Sequence, residues 1–297
     1  MHCQYGRHGV RSRPARVVMT KEAVLAACKE KQQYTTPRLN DNLYLQCCGF
    51  TKIENLEEYT GTKTLWLEEN NISKIENISH MQQLRCLFLQ SNAIMRISGL
   101  KMLTSLQTLK LSNNMISRLE NLKPLRMLHT LDVSYNLLHT VEDISHLLLC
   151  DSISALHLNS NRLEDPRCVA VLEGMRKLQV LYFSDNLAVS RIAQVWGTYR
   201  KCMIGRIPAL TFLDDRPVHK NEQRYSASAL FGEEAEPHEE LQLSPLNSQL
   251  VMQEVCERRR REIRAKRLAM GLPEEIPDFI PSRRTSQPSR AGEEEST

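Results

Sequence analysis

The sequence predicts an α/β repeat solenoid whose short parallel strands line one side. Three observations lead there. A template L-x-L-x-x-N-x-I-x-x-I-x-N-I recurs along the chain. Its copies start 22 residues apart from Leu43 to Leu131 and 25 apart onward to Leu156 and Leu181. Asparagine also returns together with the leucine pair, which a helical bundle built on leucine heptads would not require.

The clearest copy is LWLEENNISKIENI (65–78). It is followed by LFLQSNAIMRISGL from Leu87, LKLSNNMISRLENL from Leu109 and LDVSYNLLHTVEDI from Leu131. LYLQCCGFTKIENL from Leu43 fits with Cys48 in the asparagine place, and LHLNSNRLED from Leu156 and LYFSDNLAVS from Leu181 are weaker copies. L-x-L alternation makes a short strand with both leucines turned inward. A lone repeat cannot bury that face, so neighbours stack into one core. Asn70, Asn92, Asn114, Asn136, Asn161 and Asn186 follow each strand where the chain turns, and stacked amides can bond the backbone of adjacent turns as a ladder. This is the pattern of a leucine-rich-repeat horseshoe.

Taken in chain order, residues 1–18 read as a disordered extension, with five basic and no acidic side chains over 1–21 and Met19 as an alternative start. Residues 19–36 are an N-terminal cap, in which Thr20 precedes a helix, KEAVLAACKEKQQ (21–33), that turns Val24, Leu25 and Cys28 to the first strand. Seven repeats fill 37–186. Repeats one to five have room on the convex side for tight turns or 3₁₀ pieces. A real helix is expected in PRCVAVLEGM (166–175), behind Asp165-Pro166. Residues 187–218 form a C-terminal cap anchored by Ile207, Leu210 and Leu213. Residues 219–297 form a charged helical and disordered tail: an acidic stretch (Glu233, Glu234, Glu236, Glu239, Glu240), a basic helix over 248–271, and a Pro/Ser/Arg/Glu-rich end.

Composition narrows the function. The 297 residues are 41% hydrophobic and carry 39 basic against 35 acidic side chains, a net +4 that does not by itself imply nucleic acid. No apolar run reaches the roughly 18 residues a bilayer span needs. Nine cysteines, an odd number without a C-x-x-C pair, read as reduced thiols in a cytosolic protein. No phosphate-cradling glycine loop, H-E-x-x-H or G-x-S-x-G is present, so no enzyme, cofactor or metal site is expected. Asp214-Asp215 sits inside the cap, where backbone capping is a better reading than a metal carboxylate pair. The basic run 257–267, with seven cations and two acids but no interleaved aromatics, makes nucleic-acid reading a poor fit. Arg283-Arg284-Thr285-Ser286 has the form of a basophilic-kinase site, a match that arises often by chance.

A protein-binding face is expected at the x positions of L-x-L, which point out of the concave side: Tyr44, Trp66, Phe88, Lys110, Asp132, His157 and Tyr182. The aromatics Tyr44, Trp66 and Phe88 fall in one column on adjacent strands about 4.8 Å apart. Glu68 and Gln90 stand beside them, and Tyr135 and Tyr182 extend the surface toward the C-terminal end. Aromatic anchors rimmed by polar groups are what a binding hot spot needs.

NLEEYTGTKTLWLEENNISKIENI (55–78) with LRCLFLQSNAI (84–94) resembles the leucine-rich-repeat axonemal dynein assembly factor family, as do MTKEAV with YTTPRLNDNLYL within 19–45, VEDI (141–144) and LTFLDDRPV (210–218). The resemblance covers about 19–218. Cys48 and Gly99, each in an asparagine place, depart from it. It implies a cytoplasmic factor for preassembly of ciliary or flagellar dynein arms, partnered by axonemal dynein chains, chaperones or other assembly factors, and in some members associated with the cilium. A monomer without a membrane segment is expected. The competing readings are a regulatory subunit (phosphatase-targeting or a resident axonemal dynein light chain) and an RNA–protein scaffold.

Overall fold

The computed structural model describes residues 17–231, with side chains to 226. The basic helix of 248–271, the acidic stretch from Glu233 and the Arg283–Ser286 site lie outside the described residues. Val17, by sequence part of the extension, forms a parallel bridge to Phe50, and its amide donates to the Gly49 carbonyl at 3.1 Å.

Helix α1, Lys21–Glu30, starts at Thr20, whose hydroxyl accepts from the Ala23 amide. It buries Val24, Ala27 and Cys28, while Leu25 is only half-buried. The expected helix ran to Gln33 and stops three residues sooner. Gln32 takes a left-handed φ of 54°, and the Gln33 amide returns to the Cys28 carbonyl at 2.8 Å. That is the hydrogen bond of a Schellman turn, closed here without the usual glycine.

Nine strands follow in sequence order in one sheet. They are β1 (Asn42–Tyr44), β2 (Thr64–Trp66), β3 (Cys86–Phe88), β4 (Thr108–Lys110), β5 (Thr130–Asp132), β6 (Ala155–His157), β7 (Val180–Tyr182), β8 (Phe212–Leu213) and β9 (Arg216–Pro217). All pairings are parallel except β8–β9. The register puts Leu43, Leu65, Leu87, Leu109, Leu131, Leu156, Leu181 and Leu213 side by side, and all are buried. The row therefore has an eighth member, supplied from the cap after a gap wider than any repeat.

The convex side changes along the chain. The first four repeats cross it without a helix. The fifth was expected to cross by tight turns or 3₁₀ pieces; it does form a 3₁₀ segment, Ser145–Leu149, but a four-residue α-helix, α2 (Val141–Ile144), precedes it. Its three extra residues give room, and the Asp143 carboxylate accepts from the Thr140 amide at 2.9 Å to start the turn. The sixth carries α3, Cys168–Glu173, shorter than the expected 166–175 because Pro166 and Arg167 form the turn that leads in.

The asparagines form the ladder. Asn114 Nδ2 donates to the carbonyls of Leu89 and Leu111 at 3.0 Å, and its Oδ1 accepts from the Ile94 amide. Asn70, Asn92, Asn136, Asn161 and Asn186 repeat this, each tying its own turn to the preceding one. A second amide ladder runs along the I-x-N-L places. Asn55, Asn77 and Asn121 adopt left-handed φ and donate to the carbonyls of Met19, Ile53 and Ile97. Gly99 takes the same backbone conformation without an amide. There the Ser98 hydroxyl donates to the Ile75 carbonyl instead, at 3.3 Å.

Both ends of the first ladder are closed by other groups. Cys48 offers no amide, and Lys31 Nζ donates to the Gln46 carbonyl at 2.8 Å, the counterpart of the bond from Asn70 to Glu68. At the far end the Asp214 carboxylate accepts from the amides of Phe183 and Ser184 at 2.7 and 2.9 Å and from the Tyr199 hydroxyl at 3.1 Å. Asp214 is thus a backbone cap. Burial, with the Asp214 carboxylate adding to it, pushes the Tyr199 hydroxyl far above its ordinary pKa and keeps it a donor.

Helices α4 (Leu187–Trp196) and α5 (Tyr199–Arg206) cover the last layer and bury Ile192, Cys202, Met203 and Ile204. Ile207, Leu210 and Leu213 are buried beneath them. By sequence the cap ends at 218, yet α6 (Lys220–Phe231) packs on α5. Arg200 binds Glu222 at 2.6 Å and the carbonyls of Leu213 and Pro217, and Gln223 reaches the Leu210 carbonyl at 3.0 Å.

Candidate protein-binding surface

Alternation in each strand sends one side chain of L-x-L to the core and the next to the concave face. The parallel register then lines up Tyr44, Trp66, Phe88, Lys110, Asp132, His157 and Tyr182 in one column. All seven are half-buried. Gln46, Glu68 and Gln90 are half-buried beside the first three.

Within the column the side chains form two runs. Tyr44 and Trp66 have ring centroids 5.8 Å apart, Trp66 stacks on Phe88 at 3.9 Å and 19°, and Lys110 Nζ lies 5.7 Å from the Phe88 centroid. The first run therefore ends in a cation–π contact. In the second run His157 stacks on Tyr182 at 4.4 Å, and Phe212 of β8 follows at 5.7 Å. Phe212 was assigned to the cap by sequence. Its spacing after Tyr182 breaks the repeat period, so only the observed pairing of β7 with β8 reveals it. Asp132 sits between the runs and is held by the Ser134 hydroxyl at 2.7 Å and the Ser134 amide at 3.1 Å.

Tyr135 stands apart. It lies in the turn after β5 with φ 53° and is 59% exposed, so it belongs to the rim that carries the asparagine ladder and not to the concave column. The same left-handed place is taken by Glu69, Ser91, Asn113, Ser160 and Asp185. A tyrosine in that conformation is the least expected of these.

The electrostatics of the two runs differ. Glu68 accepts a hydrogen bond from Gln90, yet burial and the neighbouring Glu69 hold its carboxyl above the usual carboxylate range. Burial pushes the His157 imidazole down; Asp132 opposes this shift and Lys110 reinforces it. Near neutral pH the second run therefore presents an uncharged ring. The Trp66 indole N–H and the Gln90 side-chain carbonyl are covered without a partner among the described residues. An orphaned polar atom costs about 1–3 kcal/mol, a cost more often tolerated at working surfaces than in cores. Among the described residues no group of three His, Cys, Asp or Glu side chains could hold a metal ion, and the seven described cysteines are free thiols. No described helix is long and apolar enough to cross a membrane.

Comparison with known proteins bears on this scaffold. The family described as Leucine-rich repeat matches residues 19–149. The chain is 50% identical over 264 residues to the leucine-rich repeat-containing protein ODA7 of Chlamydomonas reinhardtii, covering 86% of this chain and 59% of that one. It is 58% identical over 224 residues to the human dynein axonemal assembly factor 1, covering 75% of this chain and 30% of that one. The chain belongs to the dynein axonemal assembly factor 1 family. A homologue of that name in Aedes aegypti is 59% identical over 202 residues, with 67% of this chain and 18% of that one covered. The chain thus spans between 18% and 59% of the length of these relatives. Among solved structures it is similar to an internalin of Listeria monocytogenes, at TM-score 0.46 and 21% identity over 61% of this chain and 50% of that one.

Proposed function

We propose that this chain is a non-catalytic scaffold for the preassembly of axonemal dynein arms in the cytoplasm of ciliated or flagellated cells. Its concave column grips a protein partner, namely a dynein chain, a chaperone or another assembly factor. The observation that carries the surface is the stacked Tyr44–Trp66–Phe88 run closed by Lys110. Rigid aromatics give a large contact area at little entropic cost, and Glu68, Gln90 and Asp132 supply directional polar contacts at the edge. The dynein role rests on homologues named as dynein axonemal assembly factors. Gln46, His157 and Tyr182 extend the same surface, and Tyr135 adds a contact at the rim.

The test is deletion of the gene in a ciliated cell, with dynein arms counted in cross-sections by electron microscopy. Arms should be missing, wild-type chain should restore them, and Trp66→Ala with Phe88→Ala should not. Intact arms after deletion overturn the role. Fractionation separates the remaining alternative: a resident light chain co-extracts with axonemal dynein in high salt, whereas an assembly factor stays in the soluble cytoplasm.

A further inference from the structure

A second surface lies on the rim where the chain enters each strand, away from the aromatic column. We propose that this rim is a docking site for an acidic segment of a partner protein, extended in form and interspersed with apolar residues. The loops leading into β3–β7 carry Arg85, Lys101, Lys123, Arg126, Arg176 and Lys177, all exposed. Against them the same loops, 79–86, 99–107, 121–129, 150–154 and 174–179, hold a single acid, Asp151. None of the six cations is in an ion pair among the described residues.

The segments that leave the strands behave differently. There Arg96 is held by Glu120 at 2.9 Å, Arg167 by Asp165 at 2.6 Å and Arg191 by Glu164 at 3.0 Å. On the strand-entering side, among the described residues, ion pairs occur only ahead of β1 and β2, as where Lys63 meets Asp41 at 2.8 Å, and the loops into β3–β7 hold no acid but Asp151.

The backbone sets these cations in a row. The amides of Gln107, His129, Ser154 and Gln179 donate in turn to the carbonyls of Arg85, Gln107, His129 and Ser154, at 2.8–2.9 Å. Each loop thus lies one strand spacing from the next. Four spacings of about 4.8 Å make a strip of roughly 19 Å, the reach of about six residues of extended peptide. Unpaired like charges repel, so a row of them gains most from a ligand of opposite sign.

The same loops expose Met102 and Met127, at 49% and 45%, and Leu149, 41% exposed, ends the 3₁₀ segment just before the 150–154 loop. Methionine is a flexible, polarisable contact that adapts to varied apolar partners. Phosphate backbones have no use for it, and these loops contain no phenylalanine, tyrosine or tryptophan on which a base could stack. The observations therefore favour an acidic peptide carrying apolar side chains over a nucleic acid.

The test uses the full chain and a fluorescent peptide of alternating glutamate and leucine, with polyglutamate and polyuridylate as further probes. The alternating peptide should bind most tightly and weaken steeply as salt is raised. Arg85→Glu with Arg126→Glu and Arg176→Glu should weaken it about tenfold or more, with an unchanged melting temperature. Met102→Ser with Met127→Ser should remove the preference over polyglutamate. Trp66→Ala with Phe88→Ala should leave binding unchanged, which keeps this test separate from that of the concave column. Absence of binding, including absence because the chain's own Glu233–Glu240 stretch already covers the rim, overturns the proposal. So do binding insensitive to the charge reversals and tighter binding of polyuridylate.

Discussion

The N-terminal and C-terminal ends of the concave column stand on the same row of buried leucines and share one strand register, yet they present different chemistry. At the N-terminal end Trp66 and Phe88 stack closely, Lys110 caps the run, and a carboxyl in unfavourable surroundings, Glu68, lies alongside. At the C-terminal end His157 and Tyr182 stack with Phe212, and the titratable group is a ring that burial keeps neutral. The difference teaches how work is divided within a repeat. The leucines and asparagines set the spacing. One side chain per strand, which carries no burden in the core, sets the chemistry that strand shows on the concave face.

The largest effects should be common to both ends, because they belong to the shared core. Leu67→Ala and Leu158→Ala should each cost about 3 kcal/mol in urea unfolding, in a single transition. Two separate transitions would show that the ends do not share one cooperative core. Asn92→Ala and Asn161→Ala should each cost about 2 kcal/mol, since removing the amide strands carbonyls of two turns and one amide. A smaller loss at Asn92, which is less buried, would sharpen the contrast between the ends.

Trp66→Ala with Phe88→Ala, set against His157→Ala with Tyr182→Ala, should lower stability by about 1 kcal/mol per pair while leaving the circular-dichroism spectrum intact. Loss of cooperative melting in either pair would assign those rings to the core. Partner capture should fall further in the first pair than in the second, as read by co-precipitation from ciliated-cell extract.

The smallest effect is with pH, and the two ends should oppose each other. His157 has a lowered pKa in the folded chain. As pH falls below about 6.5, the unfolded chain takes up that proton first, and stability is lost until His157 itself protonates. Glu68 has a raised pKa, so its penalty is absent at low pH and grows as pH rises past about 4.5 toward the folded value. Melting curves across pH 4–7 should therefore flatten on their acid side in His157→Gln, whereas Glu68→Gln should stabilise the neutral side.

What was legible in the sequence followed from short-range periodicity. The leucine row, the main asparagine ladder and the outward register of Tyr44, Trp66 and Phe88 all come from spacings of 22 or 25 residues. What was not legible depended on partners outside that period. Phe212 and Leu213 join the sheet only because two intervening helices, α4 and α5, fit between β7 and β8. Lys31 stands in for a missing amide opposite Cys48, a role that depends on where α1 ends, and α1 ends at a glutamine in a left-handed conformation that propensity disfavours. Tyr135 was grouped with the concave face because it follows β5 so closely, but the left-handed turn carries it to the rim.

The last pairing of the sheet has a consequence for behaviour in a crowded cell. A parallel sheet that simply stopped would leave a row of amides and carbonyls open to another chain's strand, which is how edge-to-edge polymers begin. Here the chain folds back on itself as β9, two residues long, antiparallel, and made of an arginine and a proline. A proline has no amide to donate, and the charge of Arg216 disfavours an incoming apolar strand. The C-terminal edge of this sheet is thus a poor template for a strand from another chain.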